Sequence, residues 1–183
     1  MKEGIRILSV DDAPFAKSGG ESLVVGIVAR KGIVEGVISF YVTVDGNDAT
    51  DKLISKIRQS RFLREIKLVA LNGITLAGLN IVDIIRVNSE LSIPVLAITR
   101  KKPNQRAMEH AIERSGKGVE EKIKLLRKIN KTSLSSRLNG LYIQYIGINE
   151  KELSAFVNTT YQMLRLAHLV ASGVVKGESK GRL

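Results

Sequence analysis

The chain has 183 residues, 44% of them apolar and 26% charged, which suits one ordinary globular core, so a single domain over residues 1–183 is expected. Its formal net charge of +11 favours polyanionic partners, and its lack of cysteine excludes a disulfide framework and any thiolate metal site. No apolar run approaches the ~20 residues that span a bilayer, and Asp11 and Asp12 interrupt the first one before it can read as a signal peptide, so a soluble, cytoplasmic protein without membrane attachment is expected.

Ile5–Val10 reads as a first strand that ends in two adjacent acids, Asp11 and Asp12. Pro14 cannot donate a ladder hydrogen bond, so the chain turns there. Ala13–Glu21 is a loop punctuated by Ser18, Gly19 and Gly20. Ser22–Arg30 and Ile33–Val44 follow as strands two and three, and Lys31-Gly32 between them suits the tight turn of a hairpin. Gly36 inside the third strand predicts a bulge or a close backbone approach. Asp45-Gly46-Asn47 is turn chemistry. Asp48 suits the N-cap of a helix carrying Leu53, Ile54 and Ile57 at helical spacing.

From there helix and strand alternate. Glu65–Leu71 is a strand, Asn72–Thr75 a turn, and Leu79–Leu91 an amphipathic helix with Asn80 placed as its cap and Asp83 in its first turn. Pro94–Thr99 is a continuous apolar run, the pattern of a parallel strand covered on both faces. Asn104–Arg114 and Val119–Ile129 predict two helices joined at Ser115–Gly118. Leu141–Ile146 is the last strand, and Asn149 with Glu152 three residues on resembles a capping box. A final helix covers Thr160–Val175, and about residues 176–183 form a polar tail. This order predicts an α/β fold, with a mixed sheet carrying helices on both faces.

Ligands of such sheets bind beyond the carboxyl ends of the strands. The candidates there are Asp11 and Asp12, Asp45 and Asp48, and Asn72, which would meet Asp11 if the first and fourth strands were neighbours. Convergent carboxylates are hard oxygen ligands suited to Mg²⁺ or Mn²⁺, although Asp11 and Asp12 could equally serve as turn formers. His168 is a general acid/base candidate or a helix histidine at the core edge, and His110, among charged residues, reads as a surface group. Between Arg100 and Arg137 stand 12 Lys/Arg and 4 Glu. Lys101, Lys102, Arg106, Lys124, Lys128 and Lys131 are the candidate phosphate contacts there, and a solvated helix face is the bland alternative. No P-loop, GxGxxG, GxSxG or HExxH pattern is present.

IRILSVDDAPF, VDGNDAT, LNGITLAGLNIVDI, IPVLAITRKKP and LRLAHLVASGVVKGESKGRL together resemble the chiefly archaeal family termed domain of unknown function ninety-nine, related to endonuclease V. The resemblance implies a ribonuclease H-like, five- to six-stranded mixed sheet whose first three strands are antiparallel. It implies a Mg²⁺- or Mn²⁺-dependent nuclease site in which Asp11 matches the aspartate ending the first strand. Asn72, before Gly73, stands where the nuclease has a second aspartate. Asp45 or Asp48 is nearest to its glutamate, and His168 corresponds to its C-terminal histidine. Three functions are therefore carried forward. These are a nuclease, a scaffold that binds nucleic acid or protein without cutting, and a hydrolase of a small phosphorylated molecule held by Lys17–Glu21. Lys180 and Arg182 are candidate phosphate contacts if the tail folds back on Asp11.

Overall fold

A computed structural model of the chain describes residues 4–16 and 19–179. Lys180 and Arg182 lie outside these residues, as do Lys17 and Ser18 of the glycine-bearing loop. Strand β1 (Arg6–Asp12) sits inside the sheet. It pairs antiparallel with β2 (Glu21–Arg30), which pairs antiparallel with β3 (Ile33–Thr43). On its other side β1 pairs in parallel with β4 (Ile66–Leu71), and β4 in parallel with β7 (Val95–Thr99). Two antiparallel strands, β9 (Leu141–Ile146) and β8 (Leu134–Leu138), complete the order β3-β2-β1-β4-β7-β9-β8. A two-residue hairpin, β5 (Thr75–Leu76) and β6 (Asn80–Ile81), stands apart.

Among the described residues the sheet therefore has seven strands, where five to six were expected. The extra one is β8, whose sequence LSSRL has neither alternation nor β-branched residues. It forms because Asn139 and Gly140 both take positive φ (51° and 78°) and fold it onto β9. Asn-Gly is the dipeptide that such two-residue hairpins favour. Lys31 and Gly32 make the other tight turn, with φ of 52° and 80°. The register slips opposite Glu35, which turns inward to Arg6 Nε (2.5 Å) and Arg30 Nη2 (2.6 Å). Gly36 follows that bulge, and a Cβ there would overlap the Phe62 ring, so both features expected of Gly36 are present.

Period-two alternation sends successive side chains to opposite faces of the sheet. Leu8, Val10, Val24, Val28, Val69 and Leu71 face α1 (Ala49–Gln59), α2 (Ile84–Leu91), α3 (Gln105–Ser115) and α4 (Val119–Thr132). On the other face Ile7, Leu68, Leu96 and Ile98 pack against Phe156, Val157 and Leu164, at the junction of α5 (Glu150–Ser154) and α6 (Val157–Lys176) and along α6. The small side chains Ala167 and Ala171, one turn apart, let α6 lie close on Val25 and Ile27.

Two capping expectations are corrected. Helix α2 begins at Ile84, with Asp83 as its cap, accepting from the amides of Ile85 (3.1 Å) and Arg86 (3.0 Å). Asn80 instead lies wholly buried and caps α1. Its Oδ1 accepts from Ala49 N (3.0 Å), while Nδ2 donates to Thr43 O (2.9 Å) and Asp48 Oδ1 (2.6 Å). Asp48 occupies the N-cap position of α1 but makes no side-chain cap bond. Asn149 does cap α5 as expected, accepting from Glu152 N at 2.9 Å.

Candidate active site at the carboxyl edge of the sheet

Asp11 and Asp12 lie inside β1 rather than after it, paired with Val25 and Val24. Alternation then separates them, placing Asp11 on the α6 side. Parallel pairing brings the end of β4 alongside, and Asn72 N donates to Val10 O at 3.3 Å. Asn72 Nδ2 donates to Asp11 Oδ2 at 3.0 Å. The same oxygen lies 3.3 Å from His168 Nδ1 of α6. That nitrogen is also 3.1 Å from Asp12 O, and His168 Nε2 is 3.4 Å from Ser172 Oγ. Asp11, only 3% exposed, thus meets the two other groups expected at strand ends and helix.

The electrostatics follow from this packing. The hydrogen bond to Asp11 raises the His168 pKa against the opposing effect of burial, so its protonated form is favoured. Burial, then repulsion from Asp11, pushes Asp12 up to about 6, while the Ala77 amide and His168 pull it down. The other two candidate acids serve elsewhere. Asp45, with φ of 55°, accepts from Leu79 N (2.9 Å), and its carbonyl accepts from the buried Lys122 Nζ (2.6 Å). Asp48 accepts from Thr43 N and Oγ1 and from Asn80, and pairs with Lys52 at 2.9 Å. Among the described residues no group of three or more His, Asp or Glu gathers as a metal cage. The oxygens on offer are the Asp11 carboxylate and, with its amide turned from the present Nδ2 contact, the Asn72 carbonyl. They suit a hard cation such as Mg²⁺ that keeps water and takes a substrate phosphate, since such ions are commonly held by one or two carboxylates plus phosphate.

A cavity of about 460 Å³ opens above Asp11, lined by Asn72, His168, Arg100, Lys101, Tyr161 and Arg165 among others. Asn72, Thr99 and Lys101 are shared with a second cavity of about 310 Å³ on the opposite face of the sheet. Ile74, Ala97, Met108 and Leu126 make its apolar walls. A chain of amides crosses its far side. Gln144 Nε2 donates to Asn130 Oδ1 (2.9 Å) and Ser133 Oγ (2.8 Å), and Asn130 Nδ2 donates to Gln105 Oε1 (3.0 Å).

Of the basic candidates, Lys101 and Lys102 border these cavities. Arg106, Lys124 and Lys131 are exposed on α3 and α4 and line neither. Lys128 is paired with the α2 cap, its Nζ 3.1 Å from Asp83 Oδ2. His110 is exposed and meets Glu113, as a surface residue should. Arg165, conspicuous in the sequence beside His168 but without an assigned role, lines the same cavity, three residues before His168 on one helix face. Gln144 was overlooked because a lone amide in a strand carries no motif.

The sheet order and its flanking helices define an α/β protein with a ribonuclease H-like fold. Human ENDOV shares the fold, with a TM-score of 0.52 at 13% identity over 90% of this chain and 81% of that one. The chain belongs to the endonuclease dU family, whose sequence profile it matches over residues 3–175. It is 40% identical to UPF0215 protein PH0071 of Pyrococcus horikoshii (98% of this chain, 97% of that one) and 38% identical to UPF0215 protein TK2033 of Thermococcus kodakarensis (98% and 97%). A crystal structure of an Archaeoglobus fulgidus protein of unknown function superposes with a TM-score of 0.85 at 36% identity, covering 94% of this chain and 99% of that one. No helix among the described residues is long and apolar enough to cross a membrane.

Proposed function

We propose that this protein is a divalent-metal-dependent nuclease that cuts DNA at deoxyuridine. The observation that carries the reading is the meeting of Asp11, Asn72 and His168 at the carboxyl ends of β1 and β4, beside a cavity bordered by Arg100, Lys101 and Arg165. The family name supplies the deoxyuridine. The cations attract a phosphodiester to the cavity. Asp11 and the Asn72 carbonyl, with its amide turned, would hold Mg²⁺ or Mn²⁺ together with a phosphate oxygen. Such an ion makes water acidic enough to attack and offsets charge on the phosphoryl group. His168, with Nδ1 3.3 Å from Asp11 Oδ2, would carry a proton for the leaving oxygen. The second cavity, with apolar walls and an ordered amide chain, takes the uracil ring. Its volume falls at the low end of small-ligand pockets, about 300–1,000 Å³.

The test is cleavage of end-labelled single and double strands carrying one deoxyuridine, with Mn²⁺ or Mg²⁺. The expected result is cutting that needs both the lesion and the metal and falls at least 100-fold in Asp11→Asn. Cutting unchanged in that variant, or absent from every strand and metal tried, overturns the reading. Asn72 at a carboxylate position favours one alternative, a protein that binds such sites without cutting. Lesion-selective binding with no cleavage in native protein would assign it.

A further inference from the structure

The groove does not end at the second cavity. A third, of about 440 Å³, lies between the end of α4 and the β8–β9 hairpin. It shares Lys102, Pro103, Gln105, Asn130 and Gln144 with the second, so the two are continuous around the amide chain. The lining of this third cavity has a different chemistry. Ser135 contributes a hydroxyl, Lys102 and Arg137 positive charge, and Tyr142 an aromatic ring. The Arg137 guanidinium carbon lies 5.2 Å from the Tyr142 ring centroid. Among the described residues no acid lines the cavity, and the Ser136 hydroxyl is turned away from it to donate to Glu150.

We propose that this β8–β9 groove is a second nucleotide subsite, which holds the neighbour of the deoxyuridine on one side of a single strand drawn over the carboxyl edge of the sheet. The assignment rests on reading the second cavity as the base site, since the third continues from it. An aromatic ring beside a guanidinium offers the stacking surface that any base can use. Lys102 and Arg137 meet the phosphate, and the Ser135 hydroxyl meets a sugar or phosphate oxygen. The hairpin that creates the site exists because of Asn139-Gly140, so a turn far from Asp11 gives the groove its length.

Binding is measured by fluorescence anisotropy with full-length protein and single strands in which deoxyuridine stands at the 5′ end, at the 3′ end or in the middle. Metal is omitted so that no strand is cut. Extension on one side, and not on the other, is expected to tighten binding roughly tenfold, the order of one stacked base. Tyr142→Ala should remove that gain and Tyr142→Phe should keep it. Arg137→Gln should reduce the gain and lower the log–log salt slope by about 0.7, as loss of one single-strand phosphate contact does. Melting curves for each variant identify any that fails to fold, and Arg137→Gln at an exposed position provides the independent check. Equal affinity of native, Tyr142→Ala and Arg137→Gln proteins for the extended strands overturns the subsite, even if selectivity for deoxyuridine persists. If that selectivity is absent while the Tyr142-dependent gain remains, the base-site reading fails and the groove stands as a single-strand site.

Discussion

Asn72 decides what kind of ion site Asp11 can make. An amide can offer an oxygen but no charge, so affinity for a hard cation should be weak until a phosphate joins it. Replacing Asn72 with Asp is expected to strengthen Mn²⁺ binding by tenfold or more without substrate, read by calorimetry, while Asp11→Asn abolishes it. An unchanged isotherm in Asn72→Asp would place the ion elsewhere. Asp48 shows the opposite use of a carboxylate. Partial burial works against its charge, but hydrogen bonds from Lys52, Asn80 and Thr43 hold its pKa down to about 2, below the ordinary 3.8. A depressed acid stabilises the fold above its unfolded pKa and loses that contribution as pH falls through its folded one. Asp48→Asn should therefore cost about 2 kcal/mol near pH 7. The difference should shrink between pH 4 and pH 2 in urea unfolding. A pH-independent difference would mean that geometry, not charge, sets its value.

At the scale of elements, Asn80 ties β6 to the end of β3 and the start of α1, both far from it in sequence. Truncation to Ala leaves Ala49 N and Thr43 O without their partner in a buried place, and is expected to cost about 2–4 kcal/mol. A loss under 1 kcal/mol by chemical denaturation would show that α1 does not depend on this cap. Gly36 is a packing constraint of a different kind, because its missing Cβ is the space that the Phe62 ring fills. Gly36→Ala should destabilise by about 1–3 kcal/mol, the usual cost of overpacking. Much of that loss should return in a double variant with Phe62→Leu; simple addition of the two losses would rule out the overlap as the cause.

Across the whole molecule, the net charge of +11 is not spread evenly in function. Lys101→Gln and Lys102→Gln should each lower the log–log salt slope for single-strand binding by about 0.7. Lys128→Gln should leave the slope unchanged, because its ammonium supports Asp83 at the start of α2. A slope change in Lys128→Gln equal to that of Lys101→Gln would make α4 part of the binding surface.

Most elements were legible because their signals are local. Apolar, Val- and Ile-rich runs marked β2, β3 and β7, and Lys31-Gly32 and Asn149 marked a turn and a cap. The carboxylate at the end of β1 was legible for the same reason, as were Asn72 and His168 as candidates. Strand β8 was missed because its residues have weak strand preference and its cause, Asn139-Gly140, lies outside it. Asn80 was assigned to the wrong helix because capping patterns assume that a cap precedes its own helix, whereas this one crosses from β6. Sequence by itself determined that acids and an amide would stand at strand ends, and a histidine on the last helix, of a mixed α/β fold, since alternation and helical period act over a few residues. Only the tertiary structure decided that Asp11, Asn72 and His168 meet while Asp45 and Asp48 are held in other networks. That choice depends on β1 pairing in parallel with β4 and on α6 lying across both, and contacts over such separations are set by packing of the whole core.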